Sequence, residues 1–451
     1  MKQIRLENFR CYTNQTIRFK SGINLLIGDN ASGKTSVLKA CRYVLSAFFA
    51  GFSDENTRWI SPDRNDFTIL MDDEIIAQEL PIKIHFSCNN EQYDTLRFDE
   101  GFYNPGDDQD EYTLQKNSKK NSRTLVSGIT QYRDYANLIL KQDIHTFDKN
   151  SFRTYALPLF SYFSTEDIHA VRKIDAKRFV QYAQKASFGY YECLDGNGFF
   201  PYWIKRLLVL QEGQKNIQEV EIVRNAIVKA LGIEGCNIIH DMQVRPIQGK
   251  VYYKFSDGRE VEADLLSDGY KRLVNIVTDI AFRCALLNRG LYGVNTTERT
   301  RGTVLIDEVD LHLHPTLQAK ILKGLKNAFP NIQLIVTTHA PMVMTGIENN
   351  EVNRVYKLSY SKVNGYKILE TNTYGMDSST IIEVILGQTP RDIEVEKLLI
   401  QLFDLIDQEQ TEEAKTLLQQ MQERFGDSLP NLAQAEAMLN FSIINDDEEN
   451  S

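Results

Sequence analysis

Gly28-Asp29-Asn30-Ala31-Ser32-Gly33-Lys34-Thr35 carries the spacing G-x-x-x-x-G-K-[ST] in full, between the apolar run Ile23-Asn24-Leu25-Leu26-Ile27 and a segment with helical spacing. Glycines let backbone N–H groups wrap phosphates, and the helix N-terminus that follows adds positive potential. Lys34 is placed to reach the β and γ phosphates, and Thr35 to ligate Mg²⁺. Asn30, Ala31, Ser32, Gly33, Lys34, Thr35 and Ser36 are therefore the expected nucleotide-binding residues.

Val304-Leu305-Ile306-Asp307-Glu308 is an apolar strand ending in two carboxylates. That arrangement suits a Mg²⁺ at Asp307, with Thr35 as its second protein ligand, and leaves Glu308 to orient or deprotonate a water. Asp310, His312 and His314 follow at once. With no third imidazole or thiolate at ligand spacing they do not make a zinc site. Leu266-Ser267-Asp268-Gly269-Tyr270 opens a helix; Ser267 fits a plain N-cap, and Gly269 bares the backbone of a second anion-binding helix terminus. One use for Ser267 and Gly269 is to close over a nucleotide held by another copy. Leu334-Ile335-Val336-Thr337-Thr338-His339 is an apolar strand whose terminal His339 is placed to touch a γ-phosphate or the attacking water.

These residues need elements to hold them. Residues 2 to 9 and 16 to 27 read as strands, followed after the Gly-rich turn by a helix with Val37, Leu38, Cys41, Val44 and Leu45 on one face. The stretch from about 50 to 150 reads as irregular, with a hairpin from Ile82 to Phe98 turned by Asn89-Asn90 and an exposed loop from Tyr103 to Arg123. A strand at Ala156 to Phe163 and a mostly helical stretch from 166 to 233 come next, then a tight turn at Ser256-Asp257-Gly258-Arg259. From Ser267 strand and helix alternate: a helix to about Leu287, a strand Thr303 to Ile306, a helix Pro315 to Phe329 and a strand Ile332 to Thr337. That is α/β architecture around a buried parallel sheet. Beyond Tyr374 the pattern is helical, and the stripes Leu398, Leu399, Leu402, Phe403, Ile406 and Ala414, Leu417, Leu418, Met421, Phe425 predict a helical hairpin. Asn445 to Ser451 is expected to be disordered.

The chain has 451 residues and a formal charge of −10, and no apolar run approaches the ~18 residues of a membrane span. A signal-peptide core is absent at the start, so the chain is expected to be cytoplasmic. Six cysteines with no C-x-x-C pair exclude a zinc ribbon or a disulfide framework and read as small buried apolar residues. Residues 391 to 451 hold 15 acidic and 4 basic side chains, leaving 47 basic against 46 acidic before them. An acidic tail repels nucleic acid and attracts basic protein.

Taken in order, the P-loop at 28 to 35, the LSDGY signature at 266 to 270, the LIDE strand end at 305 to 308 and His339 resemble the ATP-binding-cassette ATPases of the SMC and RecF kind. Tyr191-Glu192-Cys193-Leu194-Asp195 with Trp203, the run Leu266 to Arg272, Leu305 to Pro315, Phe329 to Pro341 and Tyr374 to Ser378 narrow this. They look like the stand-alone ATPases of Septu and Septu-like retron anti-phage systems. The resemblance implies an ABC-ATPase head over residues 1–375, with a P-loop core on a parallel sheet, an antiparallel β subdomain, an insert at 50–150 and a helical lobe at 166–240. An acidic helical partner-docking module follows at 376–451. It implies ATP and Mg²⁺ as ligands, Glu308 and His339 as catalytic residues, and a homodimer or higher oligomer that hydrolyses ATP to ADP and phosphate, slow turnover being compatible with it. The expected partner is a separate HNH-type nuclease effector, with no membrane.

Two other functions fit the same motifs. One is a RecF-like repair ATPase that clamps duplex DNA, for which Lys116, Lys119, Lys120 and Arg123 offer a basic patch. The other is a nucleotide-gated scaffold that does not hydrolyse. No heptad run long enough for an SMC coiled coil is present, Asp268 stands where transporter cassettes carry Gly, and the clustered carboxylates of a Toprim nuclease are missing after His339. No glutamine stands out to couple the nucleotide to the helical lobe.

Overall fold

The computed structural model describes residues 1–50, 57–70, 78–88, 111–118, 123–127, 156–165, 186–196, 199–212, 217–426 and 429–449. It falls into two compact units, Met1–Ser378 and Ser379–Ser451.

Strands β1 (Gln3–Phe9), β2 (Tyr12–Arg18) and β3 (Ile23–Ile27) lead to helix α1 (Lys34–Ser46). Strands β4 (Ile82–Ser87), β5 (Tyr112–Lys116), β6 (Leu125–Ser127) and β7 (Leu159–Phe163) follow, then helices α2 (Phe200–Glu212) and α3 (Ile217–Leu231). Next come β8 (Ile239–Arg245), β9 (Lys250–Phe255), β10 (Glu260–Glu262) and the long helix α4 (Asp268–Tyr292). The first unit finishes with β11 (Gly302–Ile306), α5 (Pro315–Gln318), α6 (Ile321–Ala328), β12 (Ile332–Thr337), β13 (Arg354–Ser361) and β14 (Gly365–Glu370).

The central sheet has the order β14-β13-β3-β12-β11-β7. Its five inner and far strands run parallel, and β14 pairs antiparallel with β13. Every residue of β3 and β12 is buried, because a parallel sheet covered on both faces needs continuous apolar runs rather than alternation. A second sheet, β2-β1-β4-β5-β6, is antiparallel. There β1 alternates, with Ile4 and Leu6 buried and Gln3, Arg5 and Glu7 on the half-exposed face. The meander β8-β9-β10 forms a third, turned by Ser256 to Arg259 as expected. The molecule is thus α/β: a P-loop core on a parallel sheet, antiparallel β elements, helices α2 to α4 and a C-terminal helical extension.

Several expectations are corrected. The segment 16 to 27 is two strands, broken at Phe19 to Gly22. Of the hairpin expected from Ile82 to Phe98, the described residues hold β4, which pairs with β1 on one edge and β5 on the other; the turn at Asn89-Asn90 lies outside them. The expected loop from Tyr103 to Arg123 contains β5, whose Tyr112 and Leu114 are buried; two alternating apolar residues are enough to seat a strand once β4 offers a free edge. Residues 91–98, 103–110 and 166–185, with Lys119 and Lys120 of the basic patch, lie outside the described residues. The helix expected from Pro315 to Phe329 is split into α5 and α6, where Lys320 donates to the Leu317 carbonyl in a tightened turn. Four cysteines are buried, but Cys11 and Cys88 are half-exposed.

The second unit is more than a hairpin: after a π-helical turn at Ile381–Leu386 come α7 (Ile393–Asp407), α8 (Thr411–Phe425) and α9 (Pro430–Glu449). Leu399, Leu402, Ile406, Ala414, Leu418, Met421, Leu432, Ala435 and Leu439 form its core, which joins both expected stripes to a third. Helix α9 runs past Asn445 to Glu449, beyond the point where structure was expected to end; residues 450 and 451 are outside the described residues. Among the described residues no helix is long and apolar enough to cross a membrane.

Candidate functional site: a phosphate-binding loop facing two strand-end carboxylates

The loop after β3 is shaped by its glycines. Gly28 has φ +141°, and a side chain there would run into the Leu358 carbonyl at 2.1 Å. Gly33 has φ +97° and lies against the Tyr12 hydroxyl, leaving no space for a Cβ. Ala31 is also left-handed, at φ +62°. Helix α1 starts at Lys34 with no side-chain cap and no acidic residue in its first turn, so its first N–H groups are left for an anion. Asn30 and Ala31 are exposed at the mouth, Ser32 and Ser36 are buried, and Ser36 meets the Cys11 thiol.

The Lys34 ammonium is turned into this loop. It donates to the Gly28 carbonyl at 2.8 Å, the Asp29 carbonyl at 2.7 Å and Ser32 Oγ at 3.4 Å. Burial pushes its pKa down to about 8, against the pull of Asp307, Asp29, Glu308 and Asp310.

Strands β3, β12 and β11 are neighbours, which brings the ends of all three together. Thr35 Oγ1 donates to Asp307 Oδ2 at 3.1 Å. Thr337 Oγ1 donates to Asp307 Oδ1 at 2.6 Å and accepts from the Glu308 N–H at 2.8 Å. The Thr35 hydroxyl beside the Asp307 carboxylate is a hard-oxygen pair of the kind Mg²⁺ takes, so these residues fit that ion. Glu308 is in the left-handed region at φ +49°, a conformation costly for glutamate that persists where surroundings enforce it. His339 is half-buried; burial first, and then the Lys34 charge, hold its pKa below the ordinary histidine value despite Glu308, Asp310 and Asp307 nearby. Its imidazole is therefore neutral at pH 7.

Asp310 and His314 have other work. Asp310 accepts from the Thr338 hydroxyl, and His314 Nδ1 caps α5 by accepting from Thr316 N–H at 3.4 Å. His312 adopts φ +62°, and its carbonyl presses on α4.

The structure brings Lys34, Thr35, Asp307, Glu308 and His339 together within the chain. Ser267 and Gly269 stand apart from that group. Ser267 occupies the N-cap position of α4, yet its side chain makes no cap hydrogen bond and is exposed. Gly269 is buried, and a Cβ on it would be 2.2 Å from the His312 carbonyl. Its missing side chain therefore serves backbone packing within the chain; baring the helix terminus is not its only use.

Two further participants have weaker sequence signs. Thr337 closes an apolar strand, and Arg272 is a single cation inside the buried stripe Gly269, Leu273, Ile276 of α4. The segment 191 to 195 also finds its job: Arg42 of α1 donates to the Leu194 carbonyl, and Arg283 of α4 to Gly189 and Tyr191 carbonyls at 2.9 and 3.1 Å. Trp203 Nε1 and Arg283 Nε both reach Asp279, at 2.8 and 2.7 Å. A buried charge pair with every group bonded fixes α2, α4 and this segment as one block.

Residues 23–345 match the family model described as "AAA domain, putative AbiEii toxin, Type IV TA system". The chain is 25% identical over 439 residues to the "Retron Vc95 probable ATPase" of Vibrio cholerae serotype O1 biovar El Tor, covering 85% of this chain and 79% of that protein. It is 34% identical over 189 residues to the "Retron Ec83 probable ATPase" of Escherichia coli, 41% of this chain and 33% of that protein. Over 106 residues it is 41% identical to the "Septu protein PtuA" of Bacillus mycoides strain KBAB4, 24% of this chain and 14% of that protein. Among solved structures, an SMC head bound to the C-winged helix domain of ScpA aligns with 82% of this chain and 98% of its own, at 17% identity and a TM-score of 0.47. The match spans far more than half of the sequence and contains the P-loop, both strand-end acids and His339: the chain belongs to this family of AAA domains.

Proposed function

We propose that the protein is a Mg²⁺-dependent ATPase that closes as a homodimer around ATP and governs a separate nuclease in anti-phage defence. The observation that carries the catalytic half is the linked chain Thr35, Asp307, Thr337, Glu308, which ties the phosphate-binding loop to the strand-end acids. In this reading the loop amides and Lys34 hold the β and γ phosphates. Mg²⁺ held by Thr35 and Asp307 supplies charge neutralisation on the phosphate oxygens. Glu308 orients the attacking water and takes its proton, and His339 contacts the γ-phosphate or that water. Ser267, exposed and unused as a cap, completes the site of the other copy. The defence half is supported by the retron and Septu relatives, and the choice of a basic partner protein by the −11 charge of residues 391 to 451.

The test uses the full chain and a chain ending at Ser378, each co-expressed with a neighbour-encoded nuclease. Both should bind ATP and Mg²⁺ in calorimetry, while only the full chain should retain the nuclease and protect cells against phage. Retention by the shortened chain would remove the docking role, and absence of ATP binding in both would remove the whole reading.

A further inference from the structure

Arg272 lies on the first turns of α4, five residues after Ser267, and is almost fully buried. Its guanidinium spans the ends of two adjacent strands. Nη2 donates to the Asp307 carbonyl at 2.6 Å and to the Glu308 carbonyl at 3.3 Å. Nη1 donates to the Ser164 carbonyl at 3.1 Å, just past β7. These carbonyls lie just past the last β11–β7 pair, Ile306 with Phe163. A planar fork of fixed donors can hold three carbonyls at once, which a lysine ammonium on a flexible stem cannot reproduce.

Two of these bonds fall at or next to a left-handed glutamate. Glu308 sits at φ +49°, and such a conformation survives only if its neighbours over-determine it. Its N–H is held by Thr337 Oγ1, and its carbonyl accepts from the Leu311 N–H at 3.1 Å as well as from Arg272 at 3.3 Å. The same helix touches the acidic loop a second time, through Gly269 against the His312 carbonyl. The exposed Ser267 and the Glu308 backbone are thus joined through the first two turns of α4.

We propose that Arg272 is a positioning residue: it fixes the Glu308 peptide so that the carboxylate meets the attacking water, and it transmits to Glu308 any displacement of Ser267 caused by a second copy. This rests on the reading of Glu308 as the water-orienting base. A buried arginine that merely ties strand ends together would affect folding and nucleotide affinity, whereas a positioning residue affects the chemical step.

Steady-state hydrolysis and ATP-binding calorimetry on the full chain separate these, using Arg272→Lys, Glu308→Gln and the double variant. Arg272→Lys should bind ATP within about 2-fold of wild type while kcat falls about 100-fold, the effect expected when a catalytic group is misplaced by around an ångström. The double variant should be no slower than Glu308→Gln alone, since a base that is gone cannot be misplaced. If lysine prevents folding, Arg272→Gln, which keeps a donor without a buried charge, should show the same split. Wild-type kcat in the Arg272 variant, parallel loss of affinity and kcat, or losses that multiply in the double variant would each overturn the positioning role. Normal turnover by Glu308→Gln would instead overturn the assignment of the base, whatever Arg272 does.

Discussion

Lys34 combines two requirements, a charge for phosphate and a buried place to hold it, and its pKa of about 8 records the conflict. When triphosphate enters, the nearby negative charge raises that pKa again. ATP affinity should therefore be highest below pH 8, where the lysine is charged both free and bound. It should fall with pH above 8, by up to about one log unit per pH unit, until the bound-state pKa is passed. Calorimetry in buffers of different ionisation heat checks this directly: binding should take up protons between pH 8 and 10, and proton-neutral binding there would contradict the buried-lysine account. The identities of Lys34, Thr35, Asp307, Glu308 and His339 were legible because each follows an apolar strand at a fixed offset. Arg272 and Thr337 were not, since their partners are main-chain carbonyls and a carboxylate brought in by strand order, which spacing along the chain does not encode.

Helix α4 is the element that connects most of the molecule. Its first turn carries Ser267 and packs through Gly269 on the acidic loop, its second holds the strand ends through Arg272, and Asp279 and Arg283 fasten it to α2 and to residues 189 to 191. Gly269→Ala should push this helix off the His312 carbonyl. It should lower the unfolding free energy of the first unit by about 1–3 kcal/mol, as overpacking does, and reduce turnover while ATP binding to the loop persists. Denaturant melts beside a hydrolysis assay would show it; an alanine variant as stable and as active as wild type would mean the contact is slack. The start of α4, the buried strands and the turn at Ser256 to Arg259 could be read from periodicity and turn chemistry. Strand β5 could not, because a five-residue strand with two apolar positions becomes a strand only against an edge supplied by β4, and the split between α5 and α6 is set by one tightened turn at Lys320.

At the scale of the whole molecule, one chain offers a phosphate-binding loop, strand-end acids and an exposed serine that its own fold leaves without a cap hydrogen bond. In the proposed homodimer each Ser267 would complete the other copy's site, so that each site would draw on both chains. Catalysis in that dimer would need this sharing, and mixing two inactive variants tests whether it does. Lys34→Ala removes the phosphate contact, and Ser267→Arg blocks closure without touching the loop. Each alone should be inactive. Mixed in equal amounts and allowed to exchange, they should regain about a quarter of wild-type ATPase activity, because half of the randomly paired dimers carry one intact site of two. A mixture no more active than the separate proteins would contradict the shared site and leave a nucleotide-binding chain that works, if at all, by itself.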